Sequence, residues 1–81
     1  MVKGMYKFLI VFEKTGSGYS AYSPDLAGCV ATGSTRKEAE KNMFSALEMH
    51  LKGMVEDKIQ IPRPTASSEY VVFSHRDFLA N

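Results

Sequence analysis

The sequence holds one cysteine in 81 residues. A lone thiol can neither close an internal disulfide nor build a cysteine-rich zinc site, and it fits a reducing interior. Charge of either sign is not in excess. Ten Lys and Arg stand against nine Asp and Glu, for a net charge of +1. So even a balance excludes gripping a phosphate backbone by bulk charge. Long apolar runs are missing too. The longest, Phe8–Phe12, has five residues and ends at Glu13. A membrane span needs about 20, and a signal-peptide core is also longer than five. No membrane partner is therefore expected, and the lack of an export signal points to the cytoplasm. Repeats, charge blocks and low-complexity tracts are absent as well.

What is present is ordinary globular composition, 44 % hydrophobic and 23 % charged. Residues 1–81 are expected to form a single domain, since about 150 residues is a common allotment for one. A chain this short buries only about 60–65 % of its unfolded surface, so its own core leaves a thin stability margin.

From Met5 to Glu13 the pattern alternates. Tyr6, Phe8, Ile10 and Phe12 form a core-facing set, and Leu9 and Val11 lie on the opposite face. Thr15-Gly16-Ser17-Gly18 marks a turn, and Tyr19–Ser23 reads as a second strand. Proline cannot donate to a ladder, so Pro24 closes that strand, and Pro24–Gly28 reads as a turn. Cys29–Thr32 is a short third strand. The period then changes at Gly33. Thr35 and Glu38 have capping-box spacing, and a helix is expected to run to Glu56 or Asp57. At 100° per residue Ala39, Met43, Ala46, Leu47, His50 and Met54 share one face, flanked by Phe44, Leu51 and Val55. A loop with Pro62 and Pro64 leads to an expected fourth strand, Glu69–Ser74, and His75–Asn81 is a tail. A right-handed crossover would set strand four beside strand one and parallel to it. The expected class is α+β, β-β-β-α-β, with sheet order 3-2-1-4 and one helix on one face. That is a partial ribonuclease H-like arrangement.

Chemistry-bearing constellations are sparse. Cys29, His50 and His75 have no spacing that unites them as a metal site or nucleophile pair. Cys29 reads as a small buried strand residue and His50 as a core-edge histidine. Gly16-Ser17-Gly18 joins two strands rather than a strand to a helix, so it is a hairpin turn and not a phosphate cradle. Two-metal cleavage needs three or four converging carboxylates. Asp25, Glu38, Glu40 and Glu48 do not form such a set, so no catalytic residue, metal or cofactor is expected. Tyr6, Tyr19, Tyr22 and Tyr70, with Lys3 and Lys7, offer an alternative, a sheet surface for single-stranded nucleic acid. The plainer reading is that tyrosine is common in half-buried strands.

The stretch from Tyr19 to Met43 resembles the HicB family of antitoxins. An aromatic strand leads to Pro24-Asp25-Leu26, then Gly28-Cys29, then Gly33 and Thr35, with Glu38-Ala39 opening the helix. Leu47–Leu51 and Ile61-Pro62-Arg63-Pro64 are similar too, so the likeness spans roughly 5 to 74. Ala27 stands where the family usually has proline. The resemblance implies a partial ribonuclease H-like fold without nuclease activity. It also implies that the chain binds and masks a small HicA-type RNA-cleaving toxin, or is a relative that has lost its toxin. Pro24, Asp25, Gly28, Cys29, Thr35 and Glu38 then have architectural roles. Full antitoxins of the family continue into a DNA-binding domain. The short tail here is expected to form none, so DNA binding is not expected of this chain alone.

One feature of the pattern lies outside any motif. Leu9 and Val11 on the sheet back, Tyr70 and Val72 on strand four, and Phe44, Leu51 and Val55 on the helix flank are apolar where solvent is expected. Patches of this kind mark an interface. A homo-oligomer, dimer or dimer of dimers, is therefore expected.

Overall fold

Three antiparallel strands followed by one long helix make up the computed structural model, which describes residues 5–79. The elements are β1 (Val11–Lys14), β2 (Tyr19–Ser23), β3 (Leu26–Gly33) and α1 (Arg36–Glu56). The sheet order is β1-β2-β3, and α1 packs chiefly on β3.

The β1–β2 hairpin turns through the glycine-rich segment, where the Thr15 amide donates to the Gly18 carbonyl at 2.7 Å. Phe12 pairs with Ala21 and Ala21 with Ala31. These three residues share the face under the helix. Val11, Tyr22 and Val30 are likewise paired in register and share the back. The buried core is Ala21, Leu26, Cys29 and Met43. Phe8, Ile10, Phe12, Ala31, Ala46, Leu47, Leu51 and Met54 pack around it. Phe8, Ile10 and Phe12 thus keep the expected alternation. Only residues from Val11 onward join the ladder, however, so β1 is shorter than the span Met5–Glu13 read from the sequence.

Strand β3 departs in the other direction. It begins at Leu26, because the turn needs only Pro24 and Asp25. The register shifts between Tyr22 and Ser23, and Gly28 sits at φ +81°. That backbone region is strained for any side chain but open to glycine. Gly28 therefore works as a bulge residue inside a strand, not as the end of a turn.

Where β3 meets the helix, a Cβ on Gly33 would run into the backbone nitrogen of Ala39 and come within 2.8 Å of its Cα. The absence of a side chain there lets α1 start close against the sheet. Thr35 caps α1, its Oγ1 accepting from the Glu38 amide at 3.0 Å. The Glu38 carboxylate reaches one residue beyond the usual capping-box partner and accepts from the Ser34 amide. Arg36 extends over β1, its guanidinium 3.9 Å from the Phe12 ring centroid. At the far end the Lys58 amide donates to Val55 and the Ile59 amide to Met54, with Lys58 at φ 56°. That is the Schellman pattern, with lysine where glycine is usual.

The expected fourth strand is the main correction. Among the described residues Glu69–Ser74 has no sheet partner, and the sheet ends at β1. The post-helix segment does travel where the crossover places it. Residues 66–68 lie across a groove from 7–10, and 68–70 across from 9–12. This is the side and direction of a parallel neighbour to strand one, but no ladder hydrogen bond closes. The segment carries apolar side chains on both faces, and the single helix of one chain covers neither. His75–Phe78 then forms a 3-10 turn in which the Asp77 carboxylate accepts from the Ser74 amide at 2.8 Å.

Candidate protein-binding surface

The Pro-Asp turn after β2 does more than reverse the chain. Pro24 ends the ladder, and Asp25 is left half-buried at its end. Both Asp25 oxygens are used. Oδ1 accepts from the Thr65 hydroxyl at 3.2 Å and Oδ2 from the Ala66 amide at 3.1 Å. The turn thereby pins the chain that returns from the helix. Beyond the pin, Tyr70-Val71-Val72-Phe73 stands open to solvent, with Tyr70 94 % and Val72 90 % exposed. The Phe73 ring leans on Phe78, centroids 5.4 Å apart.

A second exposed apolar area lies on the helix flank. Phe44 is 69 % and Val55 62 % exposed. Leu51, grouped with them by helical periodicity, packs against the chain's own core instead. Leu9 and Val11 on the sheet back are half-buried. Met49, on the polar side of the helix, is an exposed residue that periodicity passes over. The helix flank is a separate part of the surface, whereas Leu9 and Val11 line one groove with Tyr70 at the start of the segment after the pin.

The four tyrosines do not assemble into a platform. Tyr19 lies on the same face of β2 as buried Ala21, and Tyr22 on the opposite face. Tyr6 stacks on Phe8, a core-side ring, at 6.3 Å. Tyr70 belongs to the open segment, and Lys3 lies outside the described residues. Stacking successive bases needs rings on one continuous surface.

The carboxylates are dispersed. Asp25 holds the return segment, Glu38 the helix start, and Glu40 lies 3.6 Å from Arg36 on the exposed helix surface. Among the described residues no group of three or more His, Cys, Asp or Glu is placed to hold a metal ion. Cys29 is 3 % exposed, and burial pushes its thiol pKa up. A thiol so placed is poorly suited to nucleophilic chemistry, which needs the thiolate. His50 is half-buried on α1 and His75 is exposed in the final turn. No described helix is long and apolar enough to cross a membrane.

Comparison with known proteins bears on this arrangement. The family described as HicB-like antitoxin of bacterial toxin–antitoxin systems matches residues 6–79. A 14.9 kDa protein from the rep–hol intergenic region of Haemophilus phage HP1 is 36 % identical over 62 residues, covering 76 % of this chain. The chain spans only 47 % of that phage protein's length. A UPF0150 protein of Synechocystis is 31 % identical over 62 residues, 75 % of this chain and 78 % of its own. Among solved structures, a HicA3 and HicB3 toxin–antitoxin complex contains a similar chain, with TM-score 0.59 and 27 % identity. That match covers 73 % of this chain and 72 % of the other.

Proposed function

The chain belongs to the HicB-like antitoxin family of bacterial toxin–antitoxin systems, and from that premise we propose that it is a non-catalytic module that binds and masks a small HicA-type RNA-cleaving toxin. The observation that carries the reading is the structural likeness to a chain of a HicA3–HicB3 complex over nearly three quarters of the residues. A partial ribonuclease H-like frame is the family reading of the sheet and helix. The dispersed carboxylates support a binding role over a cleaving one, because Asp25 and Glu38 already hold the fold and Glu40 lies on the exposed helix surface. Exposed Phe44 and Val55 on the helix flank, with half-buried Leu9 and Val11 on the sheet back, supply apolar area for a partner. The same areas suit a homo-oligomer. A cytoplasmic setting follows from the family, since a toxin that cleaves RNA must be met where RNA is.

Co-purification from the native host tests this. A basic protein of about this size, encoded beside the gene and retained in equimolar amount, is the expected result. Recovery of the chain with no such protein would contradict masking and leave a relative that has lost its toxin. Retention of RNA in a salt-sensitive manner, with no protein partner, would favour nucleic-acid binding instead.

A further inference from the structure

We infer that Glu69–Phe73 is an exchanged arm that pairs as an edge strand with β1 of a second copy of this chain. Two halves of one interaction are unsatisfied. Among the described residues the outer edge of β1 has no neighbouring strand. Tyr70-Val71-Val72-Phe73 has the composition of a strand and, among the described residues, no backbone hydrogen bond to any other segment. An edge without a strand and a strand without an edge on the same molecule are self-complementary. The two are also matched in length, four residues of β1 against five of the arm.

The side chains say that closure on the chain's own edge is not enough. Tyr70 and Val72 point to one side, Val71 and Phe73 to the other, and all four are mostly exposed. Strands apolar on both faces belong in sheets covered on both faces. Among the described residues there is one long helix, on one face of the sheet, so pairing within the chain would leave half of the arm bare. A second copy of the chain supplies the further apolar surface that such a strand needs on its other side.

Shape supports the same occupant. A compact chain of 81 residues has a radius of gyration of about 12 Å. The observed value is 16.8 Å, with a longest extent of 60 Å. The arm starts beside its own β1, its residues Tyr70–Phe73 stay exposed along the elongated molecule, and the Asp25 pin at Thr65–Ala66 fixes where it departs. Exchange of identical elements is a low-cost route to a closed dimer, and adding a strand to an open edge satisfies both rows of backbone groups. The interface does not depend on a toxin, so it goes beyond the masking reading and can fail separately.

Light scattering on the purified full chain, at tens of micromolar, should report twice 9.0 kDa. Val72→Pro deletes a ladder donor in a residue that touches little of its own chain. It should return the mass to 9.0 kDa while the far-ultraviolet helix signal is retained. A second measurement needs no variant. In an equal mixture of isotope-labelled and unlabelled chains, filtered spectra should show contacts between Val72 and Val11–Lys14 of different copies. A monomeric wild type, a Val72→Pro protein that stays dimeric, or contacts confined to one chain would each overturn the inference. An arm that orders only on a toxin would appear as the first of these.

Discussion

The carboxylate of Asp25 accepts the backbone amide of Ala66 at 3.1 Å across 41 positions of sequence. With the Thr65 hydroxyl on its other oxygen, it joins the β2–β3 turn to the chain leaving the helix. The aspartate of the Pro-Asp-Leu motif is thus a long-range tether, and the position of the apolar arm follows from it.

Removing the tether should be measurable. Hydrogen bonds to a charged group are worth about 1.5–3 kcal/mol, and this site is half-exposed, which lowers the figure. Asp25→Ala should cost about 1–2 kcal/mol in urea unfolding. The Ala66 amide should exchange faster with solvent, whereas amides inside α1 keep their protection. Unchanged exchange at Ala66 would show that the tether does not hold in solution.

Gly33 gives a second test. A methyl group there meets the backbone of Ala39, not a flexible side-chain end. Gly33→Ala must push the start of α1 off β3, at the usual overpacking cost of about 1–3 kcal/mol. Gly16→Ala meets nothing within 4 Å and should be near neutral. Equal melting shifts for the two variants would contradict the close approach at Gly33.

Those residues also mark what sequence reasoning reached. Strand β2 was legible to the residue, because Gly16–Gly18 and Pro24 bracket it with strong turn chemistry. The helix was legible from its period and from Thr35 with Glu38. Strand β3 was read short, since Gly28 looks like a turn residue and is in fact a bulge at positive φ. Glu69–Ser74 was recognisable as strand-like, but not its lack of a partner, because pairing depends on what else covers it. The Asp25–Ala66 bond was not legible at all. Nothing local in Thr65-Ala66 marks an amide that will find a carboxylate so far away. Helical angles place Leu51 on the exposed flank, yet it packs on the core, because angles alone do not show how far the sheet extends beneath it.

Cys29 offers a chemical probe. Burial pushes its thiol up from its ordinary value, so a thiol reagent at neutral pH should label it only as fast as the chain unfolds. Rapid labelling of the native protein would contradict its place in the core. The sign of the linkage is fixed. The folded thiol keeps its proton to higher pH than the unfolded one, which ionises at about 8.5. Its contribution is complete below that pH and is lost as pH rises through the folded value. Cys29→Ala should flatten the part of the alkaline decline due to this group. Cys29→Ser should cost about 1–3 kcal/mol, from a hydroxyl placed among apolar neighbours.

The claim that matters most is masking, and a titration addresses it directly. The HicA-type protein that the co-purification is expected to recover is purified, and its cleavage of a labelled RNA is followed as the chain is added. Cleavage is expected to fall linearly to background at one chain per toxin. Phe44→Glu, a change at an exposed residue, is expected to fold normally and to require a larger excess. Full cleavage in the presence of a tenfold excess of folded wild-type chain would contradict it.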